Sequence, residues 1–537
     1  MSKTLLSFLQ TKKILVAIIS FLACFLIYCL RLNSVIGIFK DDAWYLLLAE
    51  ALSTGNGYQL LNFPILGIPS FYPPAFPSIL AFICYISPNF PENITFLKSI
   101  SIISMLLLGI MIYYYFQKYR NLPNLLALLI AILTLTCPAY VFLATSTLMS
   151  ECVFATFQFA IILVIERYTE KYTPSKISYL IVLGGVFAAT AMLLRTIAVV
   201  IVLSVIVFLT IKRLWFSNAV FITVVIICVV PWMIYRNITF QKPSALIEQQ
   251  YKIKDYRGQF WEQRAGSSKT ITLSDLPARF LHNIKEISEL NIGGMLLPIA
   301  FRDSKQSGEE VLGMAGSIEG NLAAKAFSWI FAIIAILGFL LTLGSRITLS
   351  EIVVFLSLVL IIAWPWWPFR FVLMLFPFLV FYVLTTFQHL CLWLKENRKI
   401  SFFNDSWLLA KAFLLFLIAF NLFDHISYIQ AKNQPLAKDQ PQWLRIHKAH
   451  LEMFDWINKN TSIDSVITTD NPSMVFLYTR RKTLVVAERD LSTFNVKYLV
   501  KTEINPPSTT ILGTNIVGKR LIYHNPDFNL MVVAVSK

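Results

Sequence analysis

Two adjacent carboxylates, Asp41 and Asp42, open the stretch FKDDAWYLLLAE soon after an apolar run that ends at Arg31. Further along, Glu151 sits in TSTLMSEC, Arg195 in MLLRTIA, Arg236 in PWMIYRN and Arg370 just after WPWWPF, each beside a hydrophobic segment. Charges kept in or beside a membrane span are costly, so those that persist are the first candidates for chemistry. Guanidiniums grip an anionic group with a planar two-pronged fork and stabilise the charge that develops on a leaving group. A carboxylate at the mouth of a helix can take a proton from an attacking hydroxyl, and a second can orient the acceptor or hold a divalent cation. Such a set suits displacement at a sugar C1 with a lipid phosphate as leaving group. It also suits an ion-coupled transporter.

Each residue has a structural reading too. Asp41 can cap the helix AWYLLLAEAL, with Asp42 favourable to its dipole and Gly55 and Gly57 ending it. Glu151 can cap the span that follows it. Arg195 and Arg370 can snorkel to headgroups, although on an outer face they run against the positive-inside bias. Asp424 and His425 read as hydrated helix-end residues, and Trp364, Trp366 and Trp367 as an interfacial aromatic belt.

The elements that must carry this set are membrane spans. Of 537 residues, 57% are hydrophobic and only 14% charged, and the mean hydropathy is +0.65, the profile of a polytopic α-helical membrane protein. A net charge of +16 would suit a nucleic-acid partner. The Lys and Arg residues fall mostly in short connections between apolar runs, as in cytoplasmic loops, which excludes that reading. The seven cysteines lie in or beside hydrophobic segments, against a disulfide framework or a CxxC metal site. The basic start MSKTLLSFLQTKK leads into ILVAIISFLACFLIYCL with no small-residue cleavage site, so it reads as an uncleaved first span.

A crossing takes about 20 apolar residues for ~30 Å of hydrocarbon, which gives about eleven spans. Their cores are 14–31, 94–116, 122–143, 149–166, 177–194, 196–212, 216–235, 323–343, 350–367, 371–392 and 407–428, with Ile177 to Ile211 split at Arg195. A cytoplasmic N-terminus places QKYR, ERYTEKYTPSK, Lys212 with Arg213, Arg346 and KENRK inside, consistent with the positive-inside bias. Three larger pieces then lie outside: a loop over 31–93, a loop over 236–322, and a tail over 429–537. In the tail, WLRIHKAHLEMFDWINKN has a helical rhythm, and SVITTD, TLVVAE, KYLV and NLMVVAV read as strands, so a small extracytoplasmic α/β domain is expected. The chain thus divides into a transmembrane part, 1–428, and this outer domain. It shows no internal repeat.

In chain order, FKDDAWYLLLAEALSTGNGY, FYPPAFPSILAF, TSTLMSECVF, LLRTIAVV, PWMIYRN and FRFVLMLFPFL resemble the C-type-fold (GT-C) glycosyltransferases that use polyprenyl-phosphate sugars. That group includes protein O-mannosyltransferases and the bacterial lipid A aminoarabinose transferases. FDWINKNTSIDSVITTDNPSMVFLYTRRKTLVV is similar to the outer domain of bacterial members. The resemblance implies inverting transfer of a sugar from a polyprenyl-phosphate donor to a hydroxyl of a lipid, glycan or protein acceptor, on the extracytoplasmic face of a bacterial inner membrane. By position it implies Asp41 as the catalytic base, Asp42 as its acidic partner and Tyr45 as the aromatic residue that follows them. Glu151 matches the acidic residue of the second outer loop, and Arg370 the arginine that approaches the donor phosphate. Arg195 and Arg236 are further binding candidates. The aminoarabinose transferases carry Lys before Pro-Pro where this chain has Tyr72, which counts against lipid A as acceptor. No cofactor is required by the resemblance, and Asp41, Asp42 and Glu151 are the candidates for a divalent cation. The apolar helix after the acidic pair is expected along the membrane surface. The competing reading is a transporter or flippase of lipid-linked sugars, which would favour broken helices, midplane charges and repeated halves. A polymerase or ligase acting on lipid-linked glycans does not account for DDAWY followed by YPPAF.

Overall fold

The computed structural model describes residues 3–65, 72–171, 178–239, 256–264, 269–298, 322–345, 347–398, 405–435, 440–486, 488, 491–502, 510–511, 514–515 and 519–535. Arg346, the part of ERYTEKYTPSK after Lys171 and much of the loop over 236–322 lie outside them. The chain is a helical membrane bundle with a small sheet domain at its C-terminal end. Among the described residues seven helices are long and apolar enough to cross a membrane: Ile14–Arg31, Ile94–Lys118, Glu151–Glu170, Trp215–Thr239, Leu322–Gly344, Phe369–Asn397 and Leu408–Lys432. An eighth crossing is made if Asn124–Leu135 and Pro138–Thr145, bent by 51°, count as one span.

The other three expected spans are shorter helices. Tyr179–Leu194 has 16 residues and Leu349–Ala363 has 15, while Thr196–Ile211 begins as a 3-10 turn. At 1.5 Å per residue, 15 or 16 residues reach only ~24 Å, short of the hydrocarbon thickness. All three end or begin at the same place, around Arg195 and Trp364. Their shortness leaves a recess in the bundle.

Packing follows the lack of an apolar driving force between helices in lipid, where close contact and interhelical polar pairs carry association. Phe159 and Phe378 stack with ring centroids 4.8 Å apart, and Tyr115 meets both edge-on. At one end of the bundle Arg120 pairs with buried Glu351, and Glu166 Oε1 accepts the Leu349 N–H at 2.9 Å. Thr348 and Glu351 form a capping box that starts the Leu349–Ala363 helix. Asp424 and His425, expected to be hydrated, are buried: the helix runs on to Lys432, and His425 Nε2 meets Thr136 O at 2.9 Å.

The loop over 31–93, expected as the first outer loop, holds two helices, Asp41–Ser53 and Ala75–Ile86, packed on each other. In the first, residues 42–49 and Ala51 are buried within the protein. It is covered on one side by Ala75–Ile86 and on another by the C-terminal domain. It is the second helix that leaves Phe82, Tyr85 and Ile86 exposed.

The C-terminal domain starts with the helix Gln442–Asn460. Its strands are β1 (Val466–Thr469), β2 (Thr483–Leu484), β3 (Val496–Lys501), β4 (Thr510–Ile511), β5 (Thr514–Asn515), β6 (Arg520–Asn525) and β7 (Leu530–Ala534). Five form one sheet in the order β2-β1-β3-β7-β6, parallel from β2 to β3 and antiparallel from β3 to β6. The helix Pro472–Thr479 makes the crossover between β1 and β2. This end of the domain fastens to the first outer loop. Arg480 grips Glu50 with both nitrogens, at 2.7 and 3.0 Å, Thr483 N–H donates to Asn62 O at 2.7 Å, and Lys482 Nζ to Leu61 O at 2.8 Å.

Candidate active site

The recess left by the short helices is a cavity of about 470 Å³. Asp41, Tyr45 and Tyr72 line it from the first outer loop, Arg195 from the break after Tyr179–Leu194, Arg236 from the end of Trp215–Thr239, and Arg370 from the turn Phe369–Val372. Six of the eight residues singled out in the sequence therefore meet around one space. Local structure explains the placements. The backbone of Arg195 is extended between a helix and a 3-10 turn, which places the residue at a corner of the bundle where its side chain lines the cavity. Pro365 and Pro368 separate Leu349–Ala363 from the turn that carries Arg370, since proline cannot continue the helix through its own missing N–H.

Asp41 is the carboxylate that faces the cavity. It is the first residue of its helix rather than the cap, a place taken by Lys40 with φ +58°. Tyr72 donates its hydroxyl to Asp41 Oδ1 at 2.8 Å, and Arg370 Nη1 stands 3.7 Å from Oδ2. The rings of Tyr45 and Tyr72 meet edge to face at 5.0 Å. Tyr45 is buried, its hydroxyl 3.5 Å from Ser150 Oγ, and burial raises its phenol well above the ordinary value.

Glu151 lies just behind this wall and is fully buried. Its Oε1 accepts from Arg370 Nε at 2.7 Å, from Arg370 Nη2, and from Arg195 Nη1 at 2.8 Å. It is the first residue of its helix rather than the cap, a place taken by Ser150, and it holds two guanidiniums that would otherwise repel each other in a poorly hydrated place. Arg195 also donates to Ser150 Oγ at 3.3 Å, and Arg370 Nη2 reaches Met149 Sδ at 3.0 Å. The two arginines are thus fixed by ion pairs instead of snorkelling freely.

Asp42 does not line the cavity. It is fully buried, with Oδ2 accepting Gly37 N–H at 3.0 Å and Oδ1 accepting Ala43 N–H at 2.9 Å. Burial pushes its carboxyl up to about 6, with the two N–H groups working in the opposite direction. The acidic pair thus splits, because neighbouring residues at a helix start point about 100° apart around its axis. The three carboxylates considered for a cation do not converge, since Asp42 faces Gly37 and Glu151 faces two arginines. Among the described residues no group of three or more His, Cys, Asp or Glu is placed to hold a metal ion.

Several lining residues were missed or read otherwise. Trp364 and Trp366, read as part of an aromatic belt, wall the cavity. Gln259, from the loop over 236–322, also lines it, and Ser150, buried behind the wall between Tyr45 and Arg195, carried no signal of its own. The position of Ser150 next to Glu151 and of the tryptophans next to Arg370 was the only hint.

The fold is shared with solved membrane glycosyltransferases. The Archaeoglobus fulgidus oligosaccharyltransferase in complex with zinc and sulfate superimposes with a TM-score of 0.53 at 13% identity, over 90% of this chain and 68% of that one. The same enzyme tethered by a disulfide to an acceptor peptide containing the NVT sequon gives 0.52 at 11% identity, over 97% of this chain and 74% of that one. ArnT from Cupriavidus metallidurans bound to undecaprenyl phosphate gives 0.46 at 13% identity, over 98% of both chains. No family model and no curated protein sequence matches the chain. The chain has the GT-C fold that its motif order resembles.

Proposed function

We propose that this GT-C chain is a glycosyltransferase that moves a sugar from a polyprenyl-phosphate donor to an acceptor hydroxyl by a single displacement, on the extracytoplasmic face of its membrane. The observation that carries the reading is the wall composition of the cavity: among the described residues one carboxylate, Asp41, shares it with three guanidiniums, Arg195, Arg236 and Arg370. The rest of the wall is largely apolar or aromatic, including Leu194, Ile197, Trp364 and Phe371, so charges inside act at lower effective dielectric than in water.

In this reading Asp41 takes the proton of the acceptor hydroxyl. Tyr72 engages Oδ1, so Oδ2, 3.7 Å from Arg370 Nη1, is the oxygen assigned to take the proton. The acceptor oxygen attacks C1, the bond from C1 to the phosphate oxygen breaks with its electron pair on that oxygen, and configuration at C1 inverts. The phosphate leaves toward the arginines. Glu151 does not touch substrate; it keeps Arg195 and Arg370 side by side so that both can face one anion. Trp364, Trp366 and Tyr45 offer flat faces on which a sugar ring or an isoprenoid can rest.

The test is single-turnover release of polyprenyl phosphate from labelled polyprenyl-phosphate sugars by purified protein in lipid, with membrane extract as acceptor. Wild type is expected to release the lipid phosphate and move the label into a new product. Asp41→Asn is expected to lose ~10²-fold or more of that rate, the scale of a general base. Full turnover in correctly inserted Asp41→Asn would remove Asp41 as base, and intact donor with every sugar tried would remove the reaction class.

A further inference from the structure

The chain between Asn33 and Lys40 has no regular structure, yet it delivers Asp41 to the cavity. It is pinned at successive carbonyls. Lys98 Nζ donates to Asn33 O at 2.9 Å, Tyr478 Oη to Ile36 O at 3.3 Å, and Asn471 Nδ2 to Gly37 O at 2.8 Å. The N–H of the same Gly37 donates to Asp42 Oδ2 at 3.0 Å. Two positions have positive φ: Gly37 at +100°, where a Cβ would sit 2.5 Å from Met474 Cγ, and Lys40 at +58°, immediately before Asp41. A non-glycine residue in that region is strained and keeps the conformation only when its surroundings impose it. Asn471, Met474 and Tyr478 all come from the start and body of one helix in the C-terminal domain, Pro472–Thr479.

We propose that Asn471 is a positioning residue for the transfer reaction: through Gly37 and Asp42, the C-terminal domain sets the direction in which Asp41 faces the cavity. This rests on the reading of Asp41 as base. Asn471 uses its two amide atoms for different tasks. Oδ1 accepts Met474 N–H and Ser473 Oγ at 3.3 Å each and caps the helix, which leaves Nδ2 for Gly37 O. Asn471→Asp separates these tasks. Aspartate caps a helix as well as asparagine does, but it sets a carboxylate oxygen instead of a donor against the Gly37 carbonyl. Asn471→Ser is the second variant, retaining a capping hydroxyl while being too short to reach Gly37.

The experiment measures hydrogen exchange across the full chain in lipid nanodiscs together with kcat and KM for the donor. In both variants, amides of residues 36–44 are expected to exchange faster while the strands of the sheet keep their protection. Turnover is expected to fall about tenfold or more, as sub-ångström misplacement of a reacting group allows, with donor KM held within about twofold because the arginines are untouched. Unchanged exchange at 36–44 in both variants overturns the proposal. So does faster exchange with unchanged kcat, and so does a loss of protection that spreads through the whole C-terminal domain. A wild-type protein that turns over no donor overturns the transfer reading instead, and the exchange pattern then decides by itself whether Asn471 holds the loop.

Discussion

One carboxylate oxygen, Glu151 Oε1, orders two guanidiniums at the edge of the cavity, and this is the kind of detail that residue types alone do not disclose. The sequence marked Glu151, Arg195 and Arg370 as exceptions to the charge rule, but gave no reason to join them. Residues outside the spans make a pH prediction. Burial holds the His447 imidazole down at about 3, and His450 beside it is lowered in the same direction, both chiefly by desolvation. Below the ordinary value of 6.5 the unfolded chain takes up protons that the folded domain refuses, so stability falls as pH drops from 6.5 toward 3. Asp42 acts with the opposite sign. Raised from 3.8 to about 6, it keeps a proton that the unfolded chain has lost, so its contribution falls as pH rises through that window. The histidine shift is larger and two histidines share it, so net destabilisation by acid is expected. Thermal melts of detergent-solubilised protein between pH 4 and 7 should show a midpoint that drops toward pH 4. His447→Gln should flatten that profile and Asp42→Asn should steepen it. A level wild-type profile would contradict the assignment.

At the scale of elements, helix length and close packing decide where the site lies. Hydrophobic runs gave the existence of the helices, but a run of apolar residues does not say how much of it stays helical. The break at Arg195, expected from the sequence, and the one after Ala363, which was not, leave three short helices that border the cavity. Close contact can be tested at Gly338, in Leu322–Ser345. A Cβ built there would stand 1.8 Å from the backbone oxygen of Tyr382 on the neighbouring helix, and backbone cannot move aside as a side-chain tip can. Gly338→Ala should therefore destabilise the bundle by about 2 kcal/mol, the usual scale of overpacking. A melting midpoint equal to wild type would mean that the two helices part at little cost. In the C-terminal domain, β1, β3 and β7 were legible as short apolar runs, and most of their residues are buried. β6, at the sheet edge and half exposed, gave no such signal.

At the scale of the molecule, the first outer loop and the C-terminal domain form one unit next to the cavity, joined by the pair of Arg480 with Glu50 and the bonds at Asn62 and Gly37. If the cavity opens to the extracytoplasmic side, both ends of the proposed topology can be read by chemistry. A membrane-impermeant thiol reagent on intact cells should label Asp464→Cys, exposed in the C-terminal domain, above the background of the parent chain. It should leave Lys171→Cys, exposed at the other end of the bundle, unlabelled until the membrane is opened. The reverse pattern would invert the orientation and place the proposed chemistry on the cytoplasmic side.

The sequence by itself determined the class of the molecule, because hydropathy and loop charge are summed over many residues and survive any detail of packing. It also marked the charged residues that line the cavity, Asp41, Arg195, Arg236 and Arg370, because an Arg or Asp left beside a span is expensive enough to stand out. Only the tertiary structure decided how those residues divide the work. Asp41 and Asp42 are neighbours in the chain but face different surroundings, and Glu151 meets Arg370 across 219 residues. Such pairings depend on where helices stop and which surfaces meet, and a side chain's direction is set by neighbours that the local sequence does not contain.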